Sequence, residues 1–158
     1  MKRGEKHLKL ITYILCLVPW FLSSLIPFNK EFYESLSLPF FNPPNIFFVI
    51  SWIITYLFIA FSIYQVIQEV GFRNLPKSYK RVLLINYVAN QSFPLVFFLL
   101  QNTFLGFISC IITFISSLFL YEETTNLKEK STKYLNPYVL LSLFATVLSL
   151  TIYILNTR

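Results

Sequence analysis

The sequence predicts an all-α polytopic membrane protein: a single five-transmembrane-helix bundle over residues 1–158, N-terminus inside and C-terminus outside. Three observations carry this. First, of 158 residues 56% are hydrophobic and only 13% charged, against about 25% charged in soluble domains. Mean hydropathy is +0.63, and a soluble core of this size could not bury so much apolar surface. Second, the apolar residues gather into uncharged runs of about 20, the length of a membrane-crossing helix, without the alternation of barrel strands. Third, the basic residues fall on alternate sides of those runs.

The first span covers 8–27, with Lys9 at its edge. It is too long for a cleaved signal peptide, and Ser23-Ser24-Leu25-Ile26-Pro27 lacks a small-x-small cleavage site. The second covers 46–67. The third covers 82–100 with Pro94 inside it, and Gln101-Asn102-Thr103 turns the chain. The fourth covers 104–121 and the fifth 135–156.

With the N-terminus inside, Lys2, Arg3, Lys6, Lys9, Arg73, Lys77, Lys80, Arg81, Lys128, Lys130 and Lys133 all lie on inner segments. Of 13 basic residues only Lys30 and Arg158 fall outside, as the positive-inside rule requires. The net charge of +6 therefore orients the chain and meets anionic headgroups; it does not indicate nucleic acid. The plain N-terminus lacks an Arg/Ser-rich transit peptide, and a bacterial cell membrane is the expected location.

Chemistry is excluded more easily than assigned. All seven acids lie in tails and loops, whereas ion-coupled carriers keep an ionisable group at mid-membrane. His7 stands alone, Asp is absent, and no GxSxG or HExxH occurs. No metal site and no required cofactor are expected. Cys16 and Cys110 read as small packing residues.

Three features are unusual. In the third span Asn86 and Asn90 share a helix face, continued by Phe93 and Phe97, with Gln91 beside them. An amide in hydrocarbon needs a partner. It is either interhelical glue or part of a ligand cavity with an aromatic wall. Small residues recur at helical spacing as Gly106, Cys110, Thr113 and Ser117, and as Ser142, Ala145 and Ser149. These stripes serve close helix packing or leave room for a flat ligand. The loop from Pro27 to Pro44 is aromatic and stiffened by proline. It is either a lid or an interfacial aromatic belt.

The chain resembles the TspO/MBR family, the tryptophan-rich sensory proteins that include the mitochondrial translocator protein. Phe32-Tyr33, Pro39-Phe40-Phe41-Asn42-Pro43-Pro44, Trp52 with Tyr56, the run Asn86–Gln91, Pro137-Tyr138 and Phe144-Ala145 carry the resemblance in order, over about residues 8–156. The family commonly has Trp where this chain has Phe32, Phe41, Phe93 and Leu141, an acid at Ser109 and an Asn at Ser149. The resemblance implies a receptor or sensor that binds porphyrins, haem-type tetrapyrroles or other flat hydrophobic molecules. It places the pocket under the first loop and lines it with Tyr33, Pro43, Pro44, Trp52, Tyr56, Asn86, Asn90, Phe93, Leu141, Ala145 and Ser149; Phe41 is expected to face it too. Light-dependent protoporphyrin degradation is an alternative the family offers. Tyr33 and Trp52 match two positions linked to that reaction, while Leu141 replaces a third. A transporter or a regulatory membrane partner without a small-molecule ligand is the other alternative. Homodimerisation in the bilayer is a family expectation.

Overall fold

The computed structural model describes residues Arg3–Thr157, with side chains from His7 onward. Lys2 and Arg158, and the side chains of Arg3 and Lys6, lie outside the described residues, so their part in the charge pattern is read from sequence alone. Among the described residues every regular element is helical. Four continuous stretches are long and apolar enough to cross a membrane: His7–Leu25, Asn45–Val70, Lys77–Leu99 and Thr103–Leu155.

The last stretch has 53 residues, about 80 Å if straight, far beyond the ~30 Å hydrocarbon core. It kinks at Lys128, whose φ of −158° and ψ of 87° are not helical, and tightens into a 3₁₀ turn at Lys133–Leu135. The result is α5 (Thr103–Thr132) and α6 (Asn136–Leu155). They run antiparallel, because Cys110 meets Thr146 while Ser117 meets Ser142 and Thr125 meets Thr132. α5 continues well past the expected end at Tyr121. Apolar length marks only the part of a helix that lies in lipid, and the polar run 122–127 extends α5 up to the kink at Lys128.

The first span begins as α1 (Arg3–Leu17) and then tightens into a 3₁₀ segment, Val18–Leu25. Pro19 sits in its first turn and has no N–H to continue an α-helical ladder. Eight residues is long for 3₁₀ geometry, and the third span supports it. Ser23 N–H donates to Gln91 Oε1 (2.7 Å), Gln91 Nε2 donates to the Trp20 carbonyl (3.2 Å), and Tyr87 O–H donates to the Pro19 carbonyl (3.0 Å). In hydrocarbon such partners must come from protein.

The loop contains a helix the apolar pattern did not show, α2 (Lys30–Ser35). Asn29 caps it by accepting from Phe32 N–H at 3.0 Å, and Glu31 in the first turn suits the helix dipole. α3 (Asn45–Val70) ends at Gly71, whose φ of 81° favours glycine. α4 (Lys77–Pro94) passes at Pro94 into a π turn, Leu95–Leu99, where Leu100 N–H reaches back to the Leu95 carbonyl. A proline removes one helical hydrogen bond and crowds the preceding turn; the wider turn accommodates it.

Polar contacts tie the turns together at one end. Lys128 pairs with Glu69, and Ser78 O–H donates to Glu123 at 3.0 Å, which brings the α3–α4 and α5–α6 turns together. At the other end the first loop meets the end of α6: Ser37 N–H donates to Asn156 Oδ1 (2.9 Å) and Asn156 Nδ2 donates to the Ser37 carbonyl (3.0 Å).

Candidate functional site

Between the first loop and the middle of the bundle lies a cavity of about 390 Å³, within the range of small-molecule sites. α3 supplies Trp52 and Tyr56, with ring centroids 5.5 Å apart. From α4 and its π turn come Asn90, Phe93, Phe97 and Phe98. Phe93 and Phe97 stack at 5.0 Å with 16° between planes. α5 contributes Cys110 and Thr113, and α6 Ser142, Ala145 and Ser149. No lining side chain is charged.

The π turn after Pro94 brings Phe97 and Phe98 to the same wall as Phe93; such turns recur at functional sites. Phe97 is packed tightly because Gly106 faces it: a Cβ at Gly106 would stand 2.6 Å from Phe97 Cδ2. Over this wall the loop closes. Phe32 meets Phe97 at 5.6 Å, and Phe28 meets Phe98 at 5.0 Å. Tyr33, Asn42 and Pro43 line the cavity from above, with Asn42 Nδ2 donating to Tyr33 Oη at 3.1 Å. Phe40 instead projects outward at 99% exposure. The loop is thus a cap at Phe32–Tyr33 and an exposed aromatic at its tip. Ser24, Phe28, Asn45, Val49 and Ile53 are exposed yet line the cavity, which sets its mouth between the end of the first span and the start of α3.

The two asparagines of the third span part company. Asn90 faces the cavity; its Oδ1 accepts from Tyr56 O–H (2.8 Å) and Gln91 Nε2 (3.0 Å). Asn86 does not line it, contrary to the sequence expectation. It is fully buried and saturated by neighbours: Nδ2 donates to the Thr113 carbonyl (3.0 Å) and Ser116 Oγ (2.9 Å), while Tyr138 O–H donates to Oδ1 (2.7 Å). Cavity and glue are both present, one turn apart.

Of the other expected lining residues, Tyr33, Pro43, Trp52, Tyr56, Phe93, Ala145 and Ser149 reach the cavity. Pro44, Leu141 and Phe41 do not. Pro44 is exposed because it is the N-cap of α3, where its carbonyl accepts from Phe47 and Phe48 N–H. Leu141 is half-buried beside the lining, one turn inward of Ala145. Phe41 leans on Phe144 at 6.4 Å. The small-residue stripes serve both purposes: Cys110 and Thr113 line the cavity, while Ser117 packs against Ser142.

The reading of the sequence missed the first span's share of the wall, Phe21 and Ser23, and the pillar below it, Trp20. At 2% exposure Trp20 packs on Tyr56, Tyr87 and Tyr138 at 5.7, 5.4 and 6.3 Å. Pro19 was the available signal, since a proline inside an apolar run marks a changed backbone.

Comparison with known proteins agrees. The TspO/MBR family pattern matches residues 11–155. The chain is similar to the tryptophan-rich protein TspO of Bacillus cereus, 34% identical over 156 residues and 99% of each chain. It is 33% identical to the uncharacterized membrane protein YtaB of Bacillus subtilis, over 97% of this chain and 96% of that one. It is 29% identical to the tryptophan-rich protein TspO of Archaeoglobus fulgidus, over 80% of this chain and 81% of that one. Several apolar helices and the two Bacillus relatives are consistent with a multi-pass bacterial membrane protein. With its family pattern matched from the first span to the last, the chain belongs to the TspO/MBR family.

Proposed function

We propose that the protein is a membrane receptor or sensor that holds a porphyrin or a similar flat hydrophobic molecule in the cavity beneath the first loop. The observation that carries this is the cavity itself: about 390 Å³ with aromatic rings from two helices and an amide among them. Aromatic faces stack on a planar ring, worth about 0.5–1.5 kcal/mol per contact beyond the area buried. Asn90 Oδ1 accepts from Tyr56 and Gln91, which fixes this amide in the cavity wall. The uncharged, mostly apolar lining suits a hydrophobic ligand.

The test is a Soret-band titration of the full-length protein in nanodiscs with protoporphyrin IX. A saturable shift is expected, with affinity falling about 2- to 12-fold in Trp52→Ala while Asn86→Gln binds as wild type does. Non-saturable partitioning that is equal in empty nanodiscs overturns the reading.

A further inference from the structure

The cavity opens sideways, and the cause lies in how the first span is held. Pro19 divides that span. Before the proline, α1 runs beside α3, with Tyr13 O–H donating to the Leu57 carbonyl at 3.2 Å. After it, the 3₁₀ segment runs beside α4 instead. Tyr87 ties down the Pro19 carbonyl, and the Gln91 amide takes both the Ser23 N–H and the Trp20 carbonyl. The backbone of the first span therefore leaves α3 as it approaches the first loop. Trp20 and Phe21 still reach Tyr56, at 5.7 and 5.8 Å, and form the floor of the gap.

The gap faces lipid. Its rim on α3 is Val49 and Ile53, which are 52% and 42% exposed although both line the cavity. They lie about 6 and 12 Å along α3 from Asn45, inside a stretch, 35–68, without a charged residue. Ile50 and Ile54 on the same helix, and Leu22 and Leu25 on the first span, are exposed as well. Acyl chains are as apolar as these side chains. From above, by contrast, the cavity is shut. Phe28 and Phe32 of the loop pack on Phe98 and Phe97, and Ser37 is clasped to Asn156 by two hydrogen bonds.

We propose that the gap is a lateral portal: the ligand is a molecule dissolved in the bilayer, and it passes between the first span and α3 while the first loop stays closed. A molecule apolar enough for this lining leaves water for lipid before it meets the protein. Entry through the side then breaks none of the loop's contacts. This rests on the reading that a flat hydrophobic molecule occupies the cavity, and adds the phase it comes from and the path it takes.

The test is kinetic. Protoporphyrin IX is mixed with the full-length protein in nanodiscs, and the Soret band is followed for association and, on dilution into empty nanodiscs, for dissociation. Val49→Trp and Ile53→Trp narrow the portal and are expected to slow both rates by a similar factor, about tenfold. Ile50→Trp, exposed on the same helix but outside the lining, keeps the wild-type rates. So does Asn156→Ala, which frees the loop from α6. Unchanged rates in both rim variants overturn the proposal. So does faster dissociation alone, which would make the rim a wall contact, and so does equal slowing by Ile50→Trp. Acceleration of both rates by Asn156→Ala would place entry under the loop and overturns it too. Saturable binding with any of these results removes the portal and leaves the cavity reading standing. If wild type shows no saturable binding, the cavity reading has failed and the portal with it.

Discussion

Replacing Asn86 by Leu fills nearly the same volume and removes the amide that joins α4, α5 and α6. Two Nδ2 bonds are lost, to Thr113 and Ser116. Interhelical hydrogen bonds in membrane proteins average about 0.6 kcal/mol each. Ser116 keeps its bond to the Ile112 carbonyl, so it is not orphaned. The Tyr138 hydroxyl is, since Asn86 Oδ1 is its acceptor, at a cost of about 1–3 kcal/mol. The expected loss is about 2–4 kcal/mol. Tyr138→Phe added to Asn86→Leu removes the orphaned hydroxyl, so the double variant should recover about 1–3 kcal/mol of it. Reversible denaturant unfolding in micelles reads the cycle, with fluorescence from Trp20, 6.3 Å from Tyr138, as a local reporter. Additive losses, with no coupling between the two sites, would refute the assignment of Asn86 as the bundle's polar joint.

Three further outcomes follow from the geometry. Gly106→Ala drives a methyl against Phe97 and should cost about 1–3 kcal/mol of overpacking while weakening porphyrin binding; adding Phe97→Leu should restore the Tm, and a neutral Gly106→Ala would contradict the close contact. Gln91→Leu removes the support of the 3₁₀ segment, so hydrogen exchange over residues 20–25 should speed up in that variant while α6 stays protected; unchanged exchange would show that the segment holds itself. We propose the orientation that the charge pattern implies: in a background lacking Cys16 and Cys110, Ser35→Cys should label in intact cells and Ser78→Cys only after permeabilisation, and the reverse pattern would invert it.

The apolar runs were legible because membrane length and charge exclusion act on the sequence directly. The division between Asn86 and Asn90 was not. Both obey the same four-residue spacing, and only the positions of Tyr138 and Tyr56 decide which amide is locked between helices and which stands in the cavity wall. The 3₁₀ end of the first span was written locally in Pro19, but its stability comes from Gln91, 68 residues from Ser23. α2 escaped an apolar pattern because a capped six-residue helix has no span-length signature. Leu141 and Pro44 entered the expected pocket through family correspondence; the first sits beside the lining residue Ser142 and the second is occupied as a helix cap.

The cavity's occupancy is tested most directly by a structure of the protein co-crystallised in lipid with protoporphyrin IX dimethyl ester. The expected result is a macrocycle against Trp52 and Tyr56 on one side and Phe93 and Phe97 on the other. A macrocycle lying instead in the outward groove of α4 and α5, beside Val88 and Ile112, with the cavity rings unmoved and untouched, would contradict it.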